Sequence, residues 1–244
     1  AFEYFAGICR EIKGDVLPVN GERGNKTFDF VTYEPYGVAA IIAPYNFPLH
    51  LMTRSLAPAL AAGNTCVCKA STITPSTLAI LAEIVEEVGL PKGVINVIHG
   101  SGRLVGEALC LNEEVNIIGF TGSEVVGRQL LHYSASSKII KKCVLELGGK
   151  GPCIVEPDCD MEQALDAQLN GFTYNQGEVC CAMTRLLLHE DIYDEFLKKL
   201  ANKAQARVIG DTLDPKTTMG ALISPSHLEK VDQDIKDAVS EGAK

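Results

Sequence analysis

Several features that define other protein classes are missing from this sequence. The apolar runs are short, and the run at 38–44 is far too short to span a bilayer, so we expect no membrane partner. No basic cluster stands out, and 22 Lys and Arg residues face 31 Asp and Glu residues, for a net charge of −9. This balance argues against a nucleic acid or an anionic membrane surface as the main partner. The start of the chain also lacks the basic and apolar regions of a signal peptide.

The nine cysteines show no CxxC spacing, and their number is odd. A disulfide framework needs paired cysteines in a small secreted chain, and a zinc site needs paired short spacings with histidine nearby. Because neither pattern is present, we predict no metal site. We expect a cytoplasmic, reducing environment in which most of the thiols are small buried side chains.

The 244 residues have the composition of an ordinary soluble globular protein, with 46% hydrophobic and 22% charged residues. This length leaves room for one large domain or parts of two. Phe2, Phe5 and Cys9 already follow helical spacing, and an amphipathic stretch ends the chain at 231–244. We therefore expect the sequence to be a piece of a longer polypeptide.

From residue 37 onward, short apolar strands alternate with longer helical patterns. The predicted strands are residues 38–42, 66–68, 94–98, 115–120 and 143–147. The predicted helices between them are 49–61, a helix capped by Thr74 that begins at Pro75, a helix through Leu104 and Leu109, and one from Ser123. This rhythm requires right-handed crossovers and a parallel sheet covered on both faces. The predicted fold class is therefore a doubly wound, Rossmann-like α/β domain.

A Gly148-Gly149 turn followed by Pro152 interrupts this pattern, and a second series of strands and helices begins. We predict strands at 153–155 and 186–188, a helix opened by Asp160, and a helix from about Asp191. The predicted domains are residues 1–150, which bind a dinucleotide, and residues 151–244, the first part of a catalytic domain.

Two features near the predicted strand ends could bind an anionic cofactor. The turn at 120–127 exposes backbone N–H groups at the start of a helix, but it is not the G-x-G-x-x-G fingerprint, so a plain tight turn is an alternative. Lys69 ends the second predicted strand, where a cation can reach a phosphate or a ribose. A solvated lysine is the alternative for this position.

Three other residues could carry out catalysis. Asn46 lies in a loop made rigid by two prolines, although such an asparagine is also a common turn former. Glu146 interrupts an apolar strand just before the Gly-Gly turn, which suits either a general base or a structural ion pair. Cys180 follows a polar loop that leads toward a possible short helix, whose N-terminus would favour the nucleophilic thiolate. A buried structural cysteine is the alternative for Cys180.

Taken together and in order, these segments resemble the NAD(P)-dependent aldehyde dehydrogenase superfamily. The matching segments are PYNFP at 44–48, CKAST at 68–72, FTGSEVVG at 120–127, ELGGK at 146–150 and GEVCCA at 177–182. The first resembles the family's P-W-N-F-P, with Tyr45 in place of tryptophan. The resemblance covers essentially the whole sequence and corresponds to about the middle half of a family chain.

This resemblance implies a role for each of the three candidate catalytic residues. Cys180 matches the nucleophile, and the Asn46 amide with the Cys180 backbone N–H matches the oxyanion donors. Glu146 matches the general base that activates water to release the acid from a thioester. The implied reaction is the oxidation of a small-molecule aldehyde to a carboxylic acid. Release of the acyl group to coenzyme A is the alternative, but branches that use it typically lack this carboxylate.

The resemblance also implies the residues that contact cofactor and substrate. The implied contacts to NAD or NADP are Ile42, Pro44, Tyr45, Lys69, Thr72, Gly102, Phe120, Gly122, Ser123, Val126, Gly127 and Leu147. The implied substrate pocket is formed by Phe47, Leu51, Arg54, Tyr174, Val179 and Cys181. The sequence around Arg54 resembles the semialdehyde-oxidising branches, in which the arginine can pair with a carboxylate. It resembles the aryl-aldehyde branch more closely. A structural arginine is the alternative for this position.

Two departures from the family pattern affect these expectations. Many NAD-preferring members carry a glutamate where this chain has Thr72, so we predict that NADP is tolerated as well as NAD. The later E-x-F-G-P segment and the bridging strands that build oligomers are absent. We therefore expect the 244-residue chain to be inactive by itself and its full-length parent to be an active homo-oligomer. A non-catalytic structural or binding member of the family, and a cysteine-based redox or metal protein, are the rival hypotheses.

Overall fold

The computed structural model describes residues 1–18 and 27–243, which form two compact units. The first unit is Ala1–Leu147 and the second is Gly148–Lys244. The sequence places the division after residue 150, and the roles assigned to the two domains stay predictions. Their predicted ranges include residues 19–26 and 244, which lie outside the described residues.

The first unit begins with helix α1 (Phe2–Ile8) and a short antiparallel pair, β1 (Asp15–Leu17) and β2 (Asp29–Val31). Its main sheet consists of β3 (Val38–Ile42), β4 (Thr65–Lys69), β5 (Ile95–Ile98), β6 (Val115–Thr121) and β7 (Lys142–Glu146). All neighbouring strands of this sheet are parallel, in the order β5-β4-β3-β6-β7. The strands are near-continuous apolar runs because both faces of the sheet are covered.

Helices cover the sheet on both faces. They are α2 (Pro48–Ala61), α3 (Ser76–Glu87), α4 (Glu107–Leu111) and α5 (Glu124–Ser136). Ala39 and Ile41 of β3 point into a core that includes Met52 and Leu56 of α2, whereas Ala40 of β3 joins a separate core with α4 and α5. The alternation of β3 side chains between two cores confirms the predicted doubly wound fold class.

Two helix starts in the first unit differ from the predictions. Thr74 does not cap α3: Pro75 precedes the first helical residue, and the buried Thr74 hydroxyl has no hydrogen-bond partner among the described residues. The single helix predicted through Leu104 and Leu109 is divided into a π-helical turn at Gly102–Gly106 and α4. The Ser101 hydroxyl caps the π-helical turn by accepting a hydrogen bond from the Leu104 N–H at 3.2 Å.

The second unit contains a parallel pair, β8 (Pro152–Val155) and β9 (Arg185–Leu188), and three helices. The helices are α6 (Met161–Thr173), α7 (Tyr193–Gln205) and α8 (Pro225–Ser240). The Asp160 side chain accepts a hydrogen bond from the Gln163 N–H at 3.0 Å, which confirms the predicted cap of α6. Phe196 and Leu200 of α7 pack with Leu165 and Leu169 of α6 in the core of this unit. Within the part of the chain that the structure describes, no helix has the length and apolarity needed to cross a membrane.

Candidate active site

The order of the strands creates a crevice at the carboxyl ends of β3 and β6. The chain builds β3, β4 and β5 toward one edge of the sheet and then returns to add β6 and β7 on the other side of β3. Open α/β sheets bind ligands at such a switch point, because the two connections leave in opposite directions. A cleft of about 620 Å³ lies here, within the usual size range of ligand pockets.

Most of the predicted cofactor contacts lie together in this cleft. It is lined by Ile42, Pro44, Tyr45, Lys69, Thr72, Gly102, Phe120, Gly122, Ser123 and Val126. Gly127 and Leu147 are the two predicted contacts outside the lining, and they pack against each other instead. A Cβ atom at Gly127 would lie 2.7 Å from Leu147 Cδ2, so a larger residue at position 127 would require the Leu147 side chain to shift.

One wall of the cleft is the N-terminus of α5, which carries partial positive charge. The Ser123 hydroxyl accepts a hydrogen bond from the Val126 N–H at 3.4 Å, and the Gly122 N–H donates to the Glu146 carbonyl at 3.0 Å. A Cβ at Gly122 would overlap the Phe120 ring, so a larger residue at position 122 would require that ring to shift. These contacts hold the turn in a shape that suits a phosphate or a flat ring.

Lys69 supplies a second positive group to the cleft. Its side chain is buried, its ammonium donates a hydrogen bond to the Ala70 carbonyl at 3.1 Å, and its stem passes beside Gly106. Burial lowers the pKa of the Lys69 ammonium from its usual value, because the charged form loses water contacts. An anion or a ribose hydroxyl in the cleft would restore the polar contacts that burial removes.

Sequence reasoning missed several other residues that line the same cleft. They are Ser71, Arg103, Glu107, Gln129 and Tyr133. The neighbours of Lys69 and Gly102 in the sequence could have indicated Ser71 and Arg103. The other three lie on α4 and α5, and only the packing of these helices beside the sheet brings them to the cleft.

Asn46 lies in the segment between β3 and α2, as the two flanking prolines suggested. Its Oδ1 accepts a hydrogen bond from the Phe47 N–H at 3.1 Å, which orients the side-chain amide. Phe47 immediately precedes the first residue of α2. Leu51, one turn later, is buried with 6% of its surface exposed.

Glu146 is the last residue of β7, and its carboxylate forms an ion pair with the Arg54 guanidinium of α2. Both side chains are about half exposed, and both line a second cavity of about 380 Å³ within the first unit. Arg54, predicted to lie in the substrate pocket, therefore has the candidate general base as its partner. Of the two interpretations of Glu146, the structure shows the ion pair directly, and the role as a base stays a prediction.

Cys180 and Cys181 lie at a turn in the second unit, and both thiols are exposed. The predicted short helix at Cys180 is wrong: residues 178–184 form a turn and an extended segment that leads into β9. Asn175 and Gln176 have left-handed backbone angles, with φ of 48° and 59°, so the chain leaves helical geometry before Cys180. Activation of the thiol by a helix that starts there is therefore excluded.

The cysteine-bearing turn is held by close backbone contacts. A Cβ atom at Gly149 would lie 2.8 Å from the Cys180 carbonyl oxygen, and the Met183 N–H donates to the Gly171 carbonyl at 2.9 Å. Gly171 is also in contact with the Met183 side chain, where a Cβ would lie 2.5 Å from Sδ. Tyr174 and Val179, both predicted to line the substrate pocket, lie on the segment that precedes the cysteines.

We expect Gly149→Ala to disturb the position of Cys180. The new methyl group would meet a backbone oxygen that cannot move without the turn. The substitution should lower the free energy of unfolding by about 1–3 kcal/mol and slow turnover by about tenfold or more. The matched control is Gly148→Ala, since a Cβ at Gly148 would meet no described atom within 4 Å. Denaturant titrations and steady-state kinetics of the two variants measure the effect; equal behaviour would contradict it.

The other thiols differ from these two in their surroundings. Burial raises the pKa of Cys66 to about 11 and that of Cys68 to about 12, so both stay protonated at neutral pH. All nine cysteines are free, but Cys66, Cys68 and Cys110 alone are fully buried. The expectation that most thiols are buried was therefore too broad.

Comparison with known proteins gives matches along the whole chain. The family model described as aldehyde dehydrogenase family matches residues 1–244. The chain is 41% identical over 243 residues to the cytosolic 10-formyltetrahydrofolate dehydrogenase of Xenopus tropicalis, covering 100% of this chain and 27% of that protein.

Two solved structures are similar in fold and sequence. PnpE from Pseudomonas sp. WBC-3, also solved in complex with nicotinamide adenine dinucleotide, matches with a TM-score of 0.91 and 41% identity, covering 99% of this chain and 48% of PnpE. A 3,6-anhydro-L-galactose dehydrogenase in complex with NAP matches with a TM-score of 0.92 and 34% identity, covering 100% of this chain and 50% of that chain. The chain thus spans about a quarter of the Xenopus relative and about half of these two proteins.

Proposed function

Because this chain belongs to the aldehyde dehydrogenase family, we propose that it oxidises an aldehyde to a carboxylic acid with NAD+ or NADP+ as the hydride acceptor. The observation that carries the proposal is the exposed Cys180 thiol, which lies in the GEVCCA segment on a turn held against Gly149. The proposal assigns the oxyanion donor to Asn46 and the general base to Glu146. Adding an aldehyde and either dinucleotide to the whole protein that carries this sequence should produce reduced nicotinamide; no reduction with any aldehyde class would contradict the proposal.

The residues of the switch-point cleft suit a dinucleotide. The α5 N-terminus and Lys69 offer positive charge for phosphates and ribose, and Phe120 and Val126 offer apolar surface. The similar PnpE and 3,6-anhydro-L-galactose dehydrogenase were solved with nicotinamide adenine dinucleotide and NAP, respectively. When bound, the nicotinamide of such a cofactor supplies the acceptor for the hydride that leaves the substrate carbon.

Formation of the covalent bond is assigned to Cys180. Its deprotonated sulfur attacks the aldehyde carbon, and the carbonyl electron pair moves onto the oxygen to give a thiohemiacetal anion. The Asn46 side-chain NH2 group and the Cys180 backbone N–H donate hydrogen bonds to this oxygen. The Asn46–Phe47 hydrogen bond uses the oxygen of the amide and thereby directs the NH2 group. One such donor stabilises the transition state by roughly 3 kcal/mol in comparable sites.

Release of the acid is assigned to Glu146. After oxidation, the acyl group is bound to Cys180 as a thioester, and a water molecule attacks its carbonyl carbon while Glu146 accepts the proton. The carbon–sulfur bond then breaks, which returns the Cys180 thiolate and frees the carboxylic acid. The ion pair with Arg54 holds the Glu146 carboxylate at the end of β7 between reactions.

We expect Thr72→Glu to shift the cofactor preference toward NAD+. Thr72 lines the cleft together with Lys69 and Arg103, and a carboxylate there would repel the 2′-phosphate of NADP+. The ratio of kcat/KM for NADP+ to that for NAD+ should fall by about tenfold, or 1.4 kcal/mol. Ser76→Glu, which adds the same charge at the first residue of α3, is the control. A strong NAD+ preference of the unaltered protein would contradict the prediction.

We further propose that the protein acts as a homo-oligomer in the cytoplasm. The nine free thiols support a reducing compartment, and the Xenopus relative is named as cytosolic. The exposed apolar side chains of β1 and β2, which include Val16, Phe30 and Val31, support burial against another copy.

A further inference from the structure

A carboxylate with little exposure lies two residues before the candidate nucleophile. The Glu178 side chain is only 5% exposed, whereas Cys180 and Cys181 are exposed. A buried carboxylate is costly unless polar partners replace the lost water. The partners of Glu178 therefore matter for the position of the segment that bears Cys180.

Two of these partners lie in the first turn of α8 and in the residues just before it. Glu178 Oε1 lies 3.3 Å from His227 Nε2 and accepts a hydrogen bond from the Ile223 N–H, also at 3.3 Å. His227 is itself fixed, because its backbone N–H donates to the Ser224 hydroxyl that caps α8, at 3.2 Å. Glu178 is thus attached both to the helix and to the residues that lead into it.

A second contact joins the same two segments. The Gln176 side-chain amide donates a hydrogen bond to the Ala221 carbonyl at 3.1 Å. Gln176 is one of the two left-handed residues of the 3₁₀ turn at Tyr174–Gly177, and non-glycine residues adopt this conformation only when their surroundings hold them in it. The start of α8 and the residues before it therefore restrain this turn immediately before Cys180.

We propose that Glu178 and His227 form a positioning pair that fixes the Cys180 thiol for attack. The role rests on the proposed function, since it concerns the nucleophile of that reaction, but neither residue is assigned a contact with aldehyde or cofactor. Glu178 acts through Val179, whose N–H donates to the Gly177 carbonyl at 2.8 Å. This hydrogen bond restricts the backbone immediately before Cys180. Without the pair, the thiol would spend less time in reactive geometry, because displacements of about 1 Å can cost 100-fold in rate.

The test compares Glu178→Ala with Glu178→Gln in the whole protein. Glutamine keeps an oxygen that can accept from both the Ile223 N–H and a neutral His227 Nε2–H, whereas alanine removes both contacts. We expect Glu178→Ala to lower kcat by about 10- to 100-fold with little change in KM for the dinucleotide. The kcat of Glu178→Gln should lie within about threefold of that of the unaltered protein.

A second readout follows the thiol without aldehyde or cofactor. Iodoacetamide labels exposed thiols, and peptide fragmentation by mass spectrometry assigns the label to Cys180, Cys181 or the reference thiol Cys9. We expect Glu178→Ala to change the labelling rate of Cys180 relative to Cys9 by about fivefold or more, and Glu178→Gln to leave that ratio near its original value. Because labelling needs no turnover, this role and the proposed function can fail separately.

Two further variants keep the test decisive if Glu178→Ala folds poorly. His227→Ala removes the partner that α8 supplies to Glu178. The double variant Glu178→Ala/His227→Ala should lose little more kcat than either single variant, because the effects of two residues that act as a unit are not additive. Glu195→Ala, which removes an exposed ion pair with Lys199 on α7, is the matched control and should change neither readout. Unchanged Cys180 labelling and kcat in both Glu178→Ala and His227→Ala, or equal losses in Glu178→Ala and Glu178→Gln, would overturn the proposal.

Discussion

Replacing Cys180 by alanine is expected to lower kcat by about three orders of magnitude or more. The substitution removes the sulfur that is proposed to form the covalent bond, and the neighbouring Cys181 is assigned to the wall of the substrate pocket rather than to the reaction. The fold should persist, because the Cys180 side chain is exposed and the turn is held by contacts of its backbone. Steady-state turnover and equilibrium binding of the dinucleotide, measured on the same preparation, separate loss of chemistry from loss of binding.

The control for this variant is Cys9→Ala. Cys9 is exposed and immediately follows α1, and no role in the reaction is assigned to it. Its substitution should leave kcat unchanged. Turnover by Cys180→Ala at more than about a tenth of the original rate would mean that another residue is the nucleophile and would contradict the assignment.

Replacing Glu146 by glutamine is expected to separate the two halves of the reaction. Formation of the thioester does not need the carboxylate, but its hydrolysis does, because glutamine cannot accept a proton from water. The first turnover should stay fast, and the steady-state rate should fall by about 10²- to 10⁴-fold. Rapid mixing with aldehyde and dinucleotide should therefore show a burst of reduced nicotinamide, with an amplitude near one per site, followed by a slow phase.

A control variant and a contradicting outcome define how that burst is interpreted. Glu113→Gln removes an exposed carboxylate that pairs with Lys138 at 3.3 Å, and it should behave like the unaltered protein. Loss of the burst in Glu146→Gln, with unchanged dinucleotide binding, would mean that Glu146 acts before the thioester forms, and this would contradict its assignment to thioester hydrolysis.

Most of the fold of the first unit follows from local sequence patterns. Strand β3 is an apolar run of five residues, and β4 has an apolar centre at residues 66–68. Both strands are largely buried, and their alternation with helices favours a parallel, doubly wound sheet. The cleft at the ends of β3 and β6 follows from the same topology, so the part of its lining that lies at strand ends, Lys69 and the turn at 120–127, could be predicted from local motifs.

The features that sequence reasoning missed depend on contacts between distant segments. A structural ion pair is one of the two interpretations of Glu146, but no local pattern indicates its partner, Arg54, which lies on α2 beside the end of β7. The helix predicted at Cys180 is absent, since residues 178–184 form a turn and irregular chain. The left-handed Gln176 that precedes this segment is bonded to the Ala221 carbonyl, a contact 45 residues away in the sequence. Thr74 has the residue type of a cap but not its position, since α3 begins at Ser76 and Pro75 occupies the cap position.

A covalent acyl group on Cys180 is the most direct sign of the proposed reaction. Glu146→Gln should be mixed with an aldehyde and oxidised dinucleotide, quenched in acid and analysed by peptide mass spectrometry. We expect the peptide containing Cys180 to gain the mass of the aldehyde less two hydrogen atoms, and one reduced nicotinamide to form for each modified chain. Reduced nicotinamide without any such adduct, or an adduct on a peptide that lacks Cys180, would contradict it.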